Sequence, residues 1–175
     1  MANEYLNNKK FESLISKFLI CKREKEKYLL LIEDIRETEA RMLNRKKYKK
    51  PDNWEEIEKI LDGLIAEYQS LQGELTTAFY LLSENIVKYR KFNLIDADDA
   101  IQEGVMICFE KVNRFDPEKG KAFNYMTTCI INHFRQLYRT ARNYNELKKK
   151  YHEFLSAKTD QPLPTMRPDN KLYKK

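Results

Sequence analysis

The sequence predicts an all-α fold, and three observations carry that expectation. Glycine and proline number only four and five in 175 residues, too few turn formers for a sheet-rich chain joined by many tight loops. Apolar residues recur at three- and four-residue steps over long segments, as on one face of a helix, rather than alternating as in a strand. Residues 8–47 contain neither Gly nor Pro, so nothing there interrupts a helix. The length fits one domain with a modest core. We divide it into an N-terminal helical extension at 1–50, a helical domain at 51–157 and a flexible tail at 158–175.

The first helix is expected from Asn8 to about Lys47, with Phe11, Leu14, Ile15, Phe18 and Leu19 as its clearest stripe and Tyr28, Leu31, Ile32, Ile35 and Met42 continuing it. The basic run "NRKKYKKPDN" ends it at Pro51 and reads as a solvated connection. Two overlapping capping-box matches, Asp52 with Glu55 and Asn53 with Glu56, open a second long helix. Its stripe runs from Ile57 through Ile60, Leu61, Leu64, Tyr68, Leu71, Leu75, Phe79 and Leu82 to Ile86 and Tyr89. Gly63 and Gly73 each cost about 1 kcal/mol relative to Ala in a helix interior, so a break or a close helix crossing is expected at one of them.

Asp96 is placed to cap a third helix, with Asp98 and Asp99 beside the positive end of its dipole and Ile101, Val105, Cys108 and Val112 on its buried side. "DPEKG" ends that helix, and a fourth starts near Lys121 and reaches about Tyr144. "NELKKKYHEF" either continues it or forms a separate short helix. The segment "DQPLPTMRPDNKLYKK" has three prolines and little apolar content, the composition of a disordered tail.

Composition also excludes classes of function. No run approaches the roughly 18 uncharged apolar residues of a membrane span, and the N-terminus lacks the apolar centre of a secretory signal, so a soluble cytoplasmic protein is expected. Cys21, Cys108 and Cys129 with His133 and His152 match no zinc spacing. No metal, no cofactor and no catalysis by this chain are expected, since neither a nucleophile with its base nor a phosphate-binding glycine loop is present.

The net charge of +6 is concentrated: residues 114–151 hold nine Lys/Arg against three acids, and the other residues balance. A local excess of that kind points to a polyanion partner. On a helical wheel, Lys121, Asn124, Thr128, Asn132, Arg135, Arg139 and Arg142 fall within about 80° of one another, nearly opposite Phe123, Met126, Ile130, Phe134, Leu137 and Ala141. The first set is a row of donors suited to phosphate oxygens. Tyr125 and His133 flank it as stacking surface for unpaired bases. On the preceding helix Asp98, Asp99, Gln102, Glu103 and Glu110 lie off the buried stripe; they would repel DNA and suit a basic protein surface.

The same stretch resembles region 2 of the sigma-70 family of bacterial RNA polymerase sigma factors. "DAIQEG" is similar to that family's "DLIQEG", and "KVNRFDPEKGKAF" to its "AVDKFDxxxGxxF". "YLNNK" and "AFNYMTTCIINHF" resemble the late-transcription sigma factors of T-even-type bacteriophages. The resemblance implies that Asp99, Gln102 and Glu103 engage the clamp helices of the largest subunit of a bacterial RNA polymerase core. It implies that Lys121, Phe123, Tyr125, Thr128, Cys129 and Ile130 face the promoter −10 element, with His133, Gln136 and Leu137 at its upstream edge.

Cys129 and Ile130 stand where the general family has two adjacent Trp that wedge the first melted base pair, and Met126 stands where an aromatic stacks on a flipped adenine, with Tyr125 one residue earlier. An apolar wedge of Met126 and Ile130 would take over the prying. Arg135, Arg139, Arg142 and Lys148 to Lys150 would hold adjacent duplex through phosphates. Only about 30 residues follow Arg142, and their polar, proline-rich end makes no helix-turn-helix for a −35 element. The resemblance therefore implies a factor of the infected host cell that reads AT-rich −10-like sites, with a phage coactivator and sliding clamp as further partners. The alternative is a helical RNA-binding or transcription adaptor protein without promoter-specific activity.

Overall fold

A computed structural model of the chain describes residues 7–42, 51–90 and 94–159. Four helices account for nearly all of them: α1 (Asn8–Met42), α2 (Trp54–Tyr89), α3 (Ala97–Val112) and α4 (Ala122–Thr159). There is no strand among the described residues, and none of the helices is long and apolar enough to cross a membrane. Residues 160–175, where the tail is expected, lie outside the described residues, as do 43–50.

α1 starts where Asn7 accepts hydrogen bonds on Oδ1 from the backbone N–H of Lys9 (3.0 Å) and Lys10 (3.3 Å). These satisfy donors that the first helical turn leaves open. Its contacts with α2 run in opposite chain directions: Phe11 meets Phe79 edge-on at 5.9 Å, Phe18 stacks on Tyr68 at 5.1 Å, and the Cys21 thiol donates to the Leu64 carbonyl at 3.6 Å. The two helices are therefore antiparallel. Farther along, Ile32 packs with Ile57 and Leu61 in a second, smaller cluster bordered by Tyr28, Trp54 and Ile65.

α1 is not an appendage. Phe11, Ile15, Phe18 and Cys21 are buried in the same cluster as Leu75 and Phe79 of α2, Cys108 and Val112 of α3, and Met126, Ile130 and Phe134 of α4. Each large side chain removed from water contributes roughly 1.5–3 kcal/mol, so a boundary at residue 50 would cut through the core. Lys22 also donates to Asn113 Oδ1 at 2.8 Å, tying α1 to the end of α3.

α2 departs from expectation at both its cap and its glycines. Asn53 makes no side-chain cap bond; backbone bonds from Trp54 N to the Pro51 carbonyl and from Ile57 N to the Asn53 carbonyl, both 3.1 Å, start the helix instead. It runs unbroken through Gly63 and Gly73, and a Cβ at either would meet open space, so neither is a crossing point. Packing of the surrounding stripe outweighs two weak helix formers.

The close crossing is at Gly104 in α3. A Cβ there would overlap Ser83 Oγ of α2, lie 2.8 Å from Ser83 Cβ and come within 3.3 Å of Phe134 Cζ of α4. Only a residue without a side chain lets three helices meet at that point. Ser83 is fully buried, and its Oγ has no hydrogen-bond partner.

Candidate functional site

The α3–α4 hairpin carries the two charged faces. Asp96 caps α3, its Oδ1 accepting from Asp98 N at 2.9 Å. Ala100, Ile101, Gly104, Ile107, Cys108 and Val112 then turn inward, which leaves Asp99, Gln102, Met106 and Glu110 exposed and Glu103 half-buried. Glu110 is fully exposed, and its bond to the Lys111 ammonium holds its carboxyl below the usual carboxylate range.

Met106 is the residue that charge-based reasoning passed over. It is 66% exposed in the midst of this acidic and amide face. The signal was present, because Met106 lies well off the 101/105/108/112 stripe on the same wheel that exposes Asp99 and Gln102.

The turn between the helices is built by Asp116. Its Oδ1 accepts from Glu118 N at 3.0 Å and its Oδ2 lies 3.1 Å from Lys119 Nζ, and these contacts, the backbone bond first, hold its carboxyl below the ordinary value. Gly120 follows at φ +153°, a backbone that side chains disfavour. Tyr125 folds back over this turn: its ring lies 5.6 Å from that of Phe115, and its hydroxyl donates to the Lys111 carbonyl at 3.4 Å. Tyr125 is half-buried in this way.

α4 then exposes Asn124, Thr128, Asn132, Arg135, Gln136, Arg139 and Arg142 along its length, with Lys121 exposed just before it. Arg135 Nη1 donates to Asn132 Oδ1 at 3.2 Å, and Arg142 Nε to Glu146 Oε1 at 2.9 Å. The row is one surface of one helix, and Glu146, the acid bonded to Arg142, is at its far end.

Two expected DNA contacts are corrected. Met126 and Ile130 are fully buried, packed with Ala122 and Phe134 in the central core. They sit on the inner side of α4 for the same periodic reason that exposes Thr128, so they cannot form a surface wedge in this conformation. Phe123, Cys129 and Leu137 are half-buried. Burial raises the Cys129 thiol, partly offset by the Tyr125 hydroxyl and Lys111. His133 is likewise not a free flank of the donor row, since its Nε2 donates to Glu103 Oε2 at 2.8 Å.

With an acidic helix followed by a basic one around this turn, the relevant comparison is with promoter-binding proteins, and residues 77–144 match the family model of sigma-70 region 2. That segment is similar to sigma-70 region 2. No curated protein and no solved structure matches the chain. The region 2 segment takes in the last third of α2, all of α3 and the first part of α4, so it contains both charged faces and the Gly104 crossing. Outside it lie α1, which completes its core, and the last turns of α4. The match supports a sigma-factor-like role for this hairpin in RNA polymerase binding and promoter recognition. Among the described residues, no three His, Cys, Asp or Glu are grouped to hold a metal ion.

Proposed function

We propose that this chain is an initiation factor of the late phage sigma type. α3 docks on the clamp helices of a bacterial RNA polymerase core through Asp99, Gln102 and Glu103, and α4 holds an AT-rich −10-like promoter through Lys121, Phe123, Asn124, Thr128, Asn132, Arg135, Gln136, Arg139 and Arg142. The observation that carries this reading is the region 2 match over residues 77–144, which coincides with a hairpin exposing acids on one helix and a row of donors on the next. The assignment to phage late transcription rests on the resemblance of "YLNNK" and "AFNYMTTCIINHF", and it brings a coactivator and a sliding clamp as partners.

The physical work is strand capture. Unstacking a base costs a few kcal/mol per step, least in AT-rich sequence, and polar groups that hold the released non-template strand offset that cost. Arg135, Arg139 and Arg142 anchor neighbouring phosphates, with an affinity that falls as salt rises.

The test mixes the full chain with bacterial core polymerase and a duplex bearing a −10-like site whose non-template strand is already unpaired. Site-dependent transcripts, lost in Asp99→Lys/Glu103→Lys together with polymerase binding, support the proposal. An increase on adding a phage coactivator and clamp supports the late assignment. Tight, salt-sensitive nucleic-acid binding without polymerase association would instead make the chain an RNA-binding or adaptor protein.

A further inference from the structure

A second surface lies on α4 from the end of the region 2 segment onward. Phe123, Ile130, Leu137, Tyr144 and Tyr151 are spaced by seven residues, and the companion series three positions later reads Met126, His133, Thr140, Leu147 and Phe154, apolar at its start and again over its last two positions. That is the a/d seam of a helix that packs lengthwise on another helix. Its first half is filled, because Met126 and Ile130 are fully buried against the other helices. Its second half is not: Tyr144, Leu147, Tyr151 and Phe154 are each more than half exposed and belong to neither core cluster.

We propose that this distal seam is the docking site for an acidic amphipathic helix of a partner protein. The charge arrangement selects the occupant. Lys148 and Lys150 occupy the two heptad positions bordering Tyr144 and Leu147, and the Lys148 and Lys158 ammonium groups lie 5.4 Å and 4.8 Å from the Tyr144 and Phe154 ring centroids. Glu146 and Glu153 sit away from the seam and face Arg142 (2.9 Å) and Lys149 (3.8 Å). The seam therefore offers an apolar strip whose first heptad is edged by Lys148 and Lys150 and whose end carries Lys158, which glutamates on a partner helix would match.

The other occupants fit less well. A second copy of the same seam would set lysines against lysines. Residues 160–175 of this chain are themselves basic, with four Lys/Arg against two Asp. Nucleic acid would be served by the Lys121–Arg142 row, which lies roughly 120° round the helix. The proposal does not depend on the promoter-binding reading.

The test uses the full chain and a fluorescent heptad peptide with Ile at a, Leu at d and Glu at e and g; the control carries Lys at e and g. The acidic peptide should bind at about micromolar affinity and the basic one at least tenfold more weakly, a difference of about 1.4 kcal/mol or more. Leu147→Asp and Tyr151→Asp, both on exposed positions, should abolish binding without loss of helicity, and Lys148→Glu/Lys150→Glu should reverse the preference. Equal binding of both peptides, or of neither, would overturn the proposal. So would a wild-type dimer that Leu147→Asp converts to monomer, which would assign the seam to a second copy, or displacement of the acidic peptide by oligo(dT), which would assign it to nucleic acid.

Discussion

His133 of α4 donates through Nε2 to Glu103 Oε2 of α3 at 2.8 Å, so one hydrogen bond joins the acidic face of the hairpin to the donor face. Both side chains keep partial contact with solvent, at 22% and 41% exposure, which places the pair between a surface ion pair and a buried one. A double-mutant cycle with His133→Ala and Glu103→Ala should give a coupling of about 0.5–1 kcal/mol in urea denaturation. If Glu103 docks on polymerase as proposed, a cation there would compete with His133 for the same carboxylate, so His133→Ala should also tighten polymerase binding severalfold while Glu103→Lys loses it. Equal binding by wild type and His133→Ala would show that Glu103 keeps its bond to α4 in the complex.

Gly104 should tolerate no side chain. Gly104→Ala drives a methyl into Ser83 of α2 and toward Phe134 of α4, an overpacking worth about 1–3 kcal/mol of lost stability. Ser83→Gly in the same chain should recover part of it, since the overlap is mainly with Ser83 Oγ and Cβ. Ser83→Ala alone should be neutral or stabilising, because it removes a buried hydroxyl that has no partner. Thermal or urea denaturation of the four proteins decides the matter.

Ile130 and Arg135 separate folding from binding. Ile130→Ala leaves a hole in the central core and should cost about 2–5 kcal/mol, with any promoter defect tracking the unfolded fraction. Arg135→Ala is on the surface and should change stability by less than about 0.5 kcal/mol. It should reduce promoter-complex affinity and lower the slope of log affinity against log salt by about one.

Much of this was legible in the amino-acid order. Periodicity placed the four helices because each buries one stripe, and it put Thr128 and Arg135 outward and Phe134 inward for the same reason. What escaped it were relations between helices. Gly63 and Gly73 look alike to Gly104 in sequence, yet of the three only Gly104 lies close against side chains of other helices. Family resemblance assigned Met126 and Ile130 to DNA, whereas their own periodicity points them into the core, and the packing follows the periodicity. No pattern within one helix could join Glu103 to His133 across 30 positions.

The thiols give a pH dependence with a definite sign. Burial pushes Cys108 far above the ordinary thiol value of 9.0, with Cys129 adding to it, and raises Cys21, where Glu67 adds to the effect. A group whose folded pKa is raised contributes stability that is fully present below its unfolded pKa and is lost as pH rises beyond it. Stability should therefore fall as pH rises above about 9, and Cys108→Ala should flatten that decline. At pH 8 both thiols should resist alkylation in the native protein and react on denaturation, while half-buried Cys129 reacts first; rapid native labelling of Cys108 would show that the core opens there.

Met106 gives the sharpest test of the α3 face. A thioether 66% exposed among Asp99, Gln102 and Glu110 contributes little to the fold, so Met106→Ala should leave the denaturation midpoint within about 0.5 kcal/mol of wild type. If the face docks on a basic protein surface, its one apolar residue is the group best placed to be desolvated at the centre of the contact, where truncation typically costs 1 kcal/mol or more. Met106→Ala should then weaken polymerase binding by about fivefold to thirtyfold. Met106→Glu should weaken it further, because a buried carboxylate beside Glu110 would be desolvated without a guaranteed partner. Salt separates this effect from the acidic contacts around it: raising ionic strength should erode the penalty of Asp99→Asn and leave that of Met106→Ala nearly unchanged. Wild-type affinity in Met106→Ala, measured by titrating labelled protein with core polymerase, would move the docking contact off the centre of this helix face.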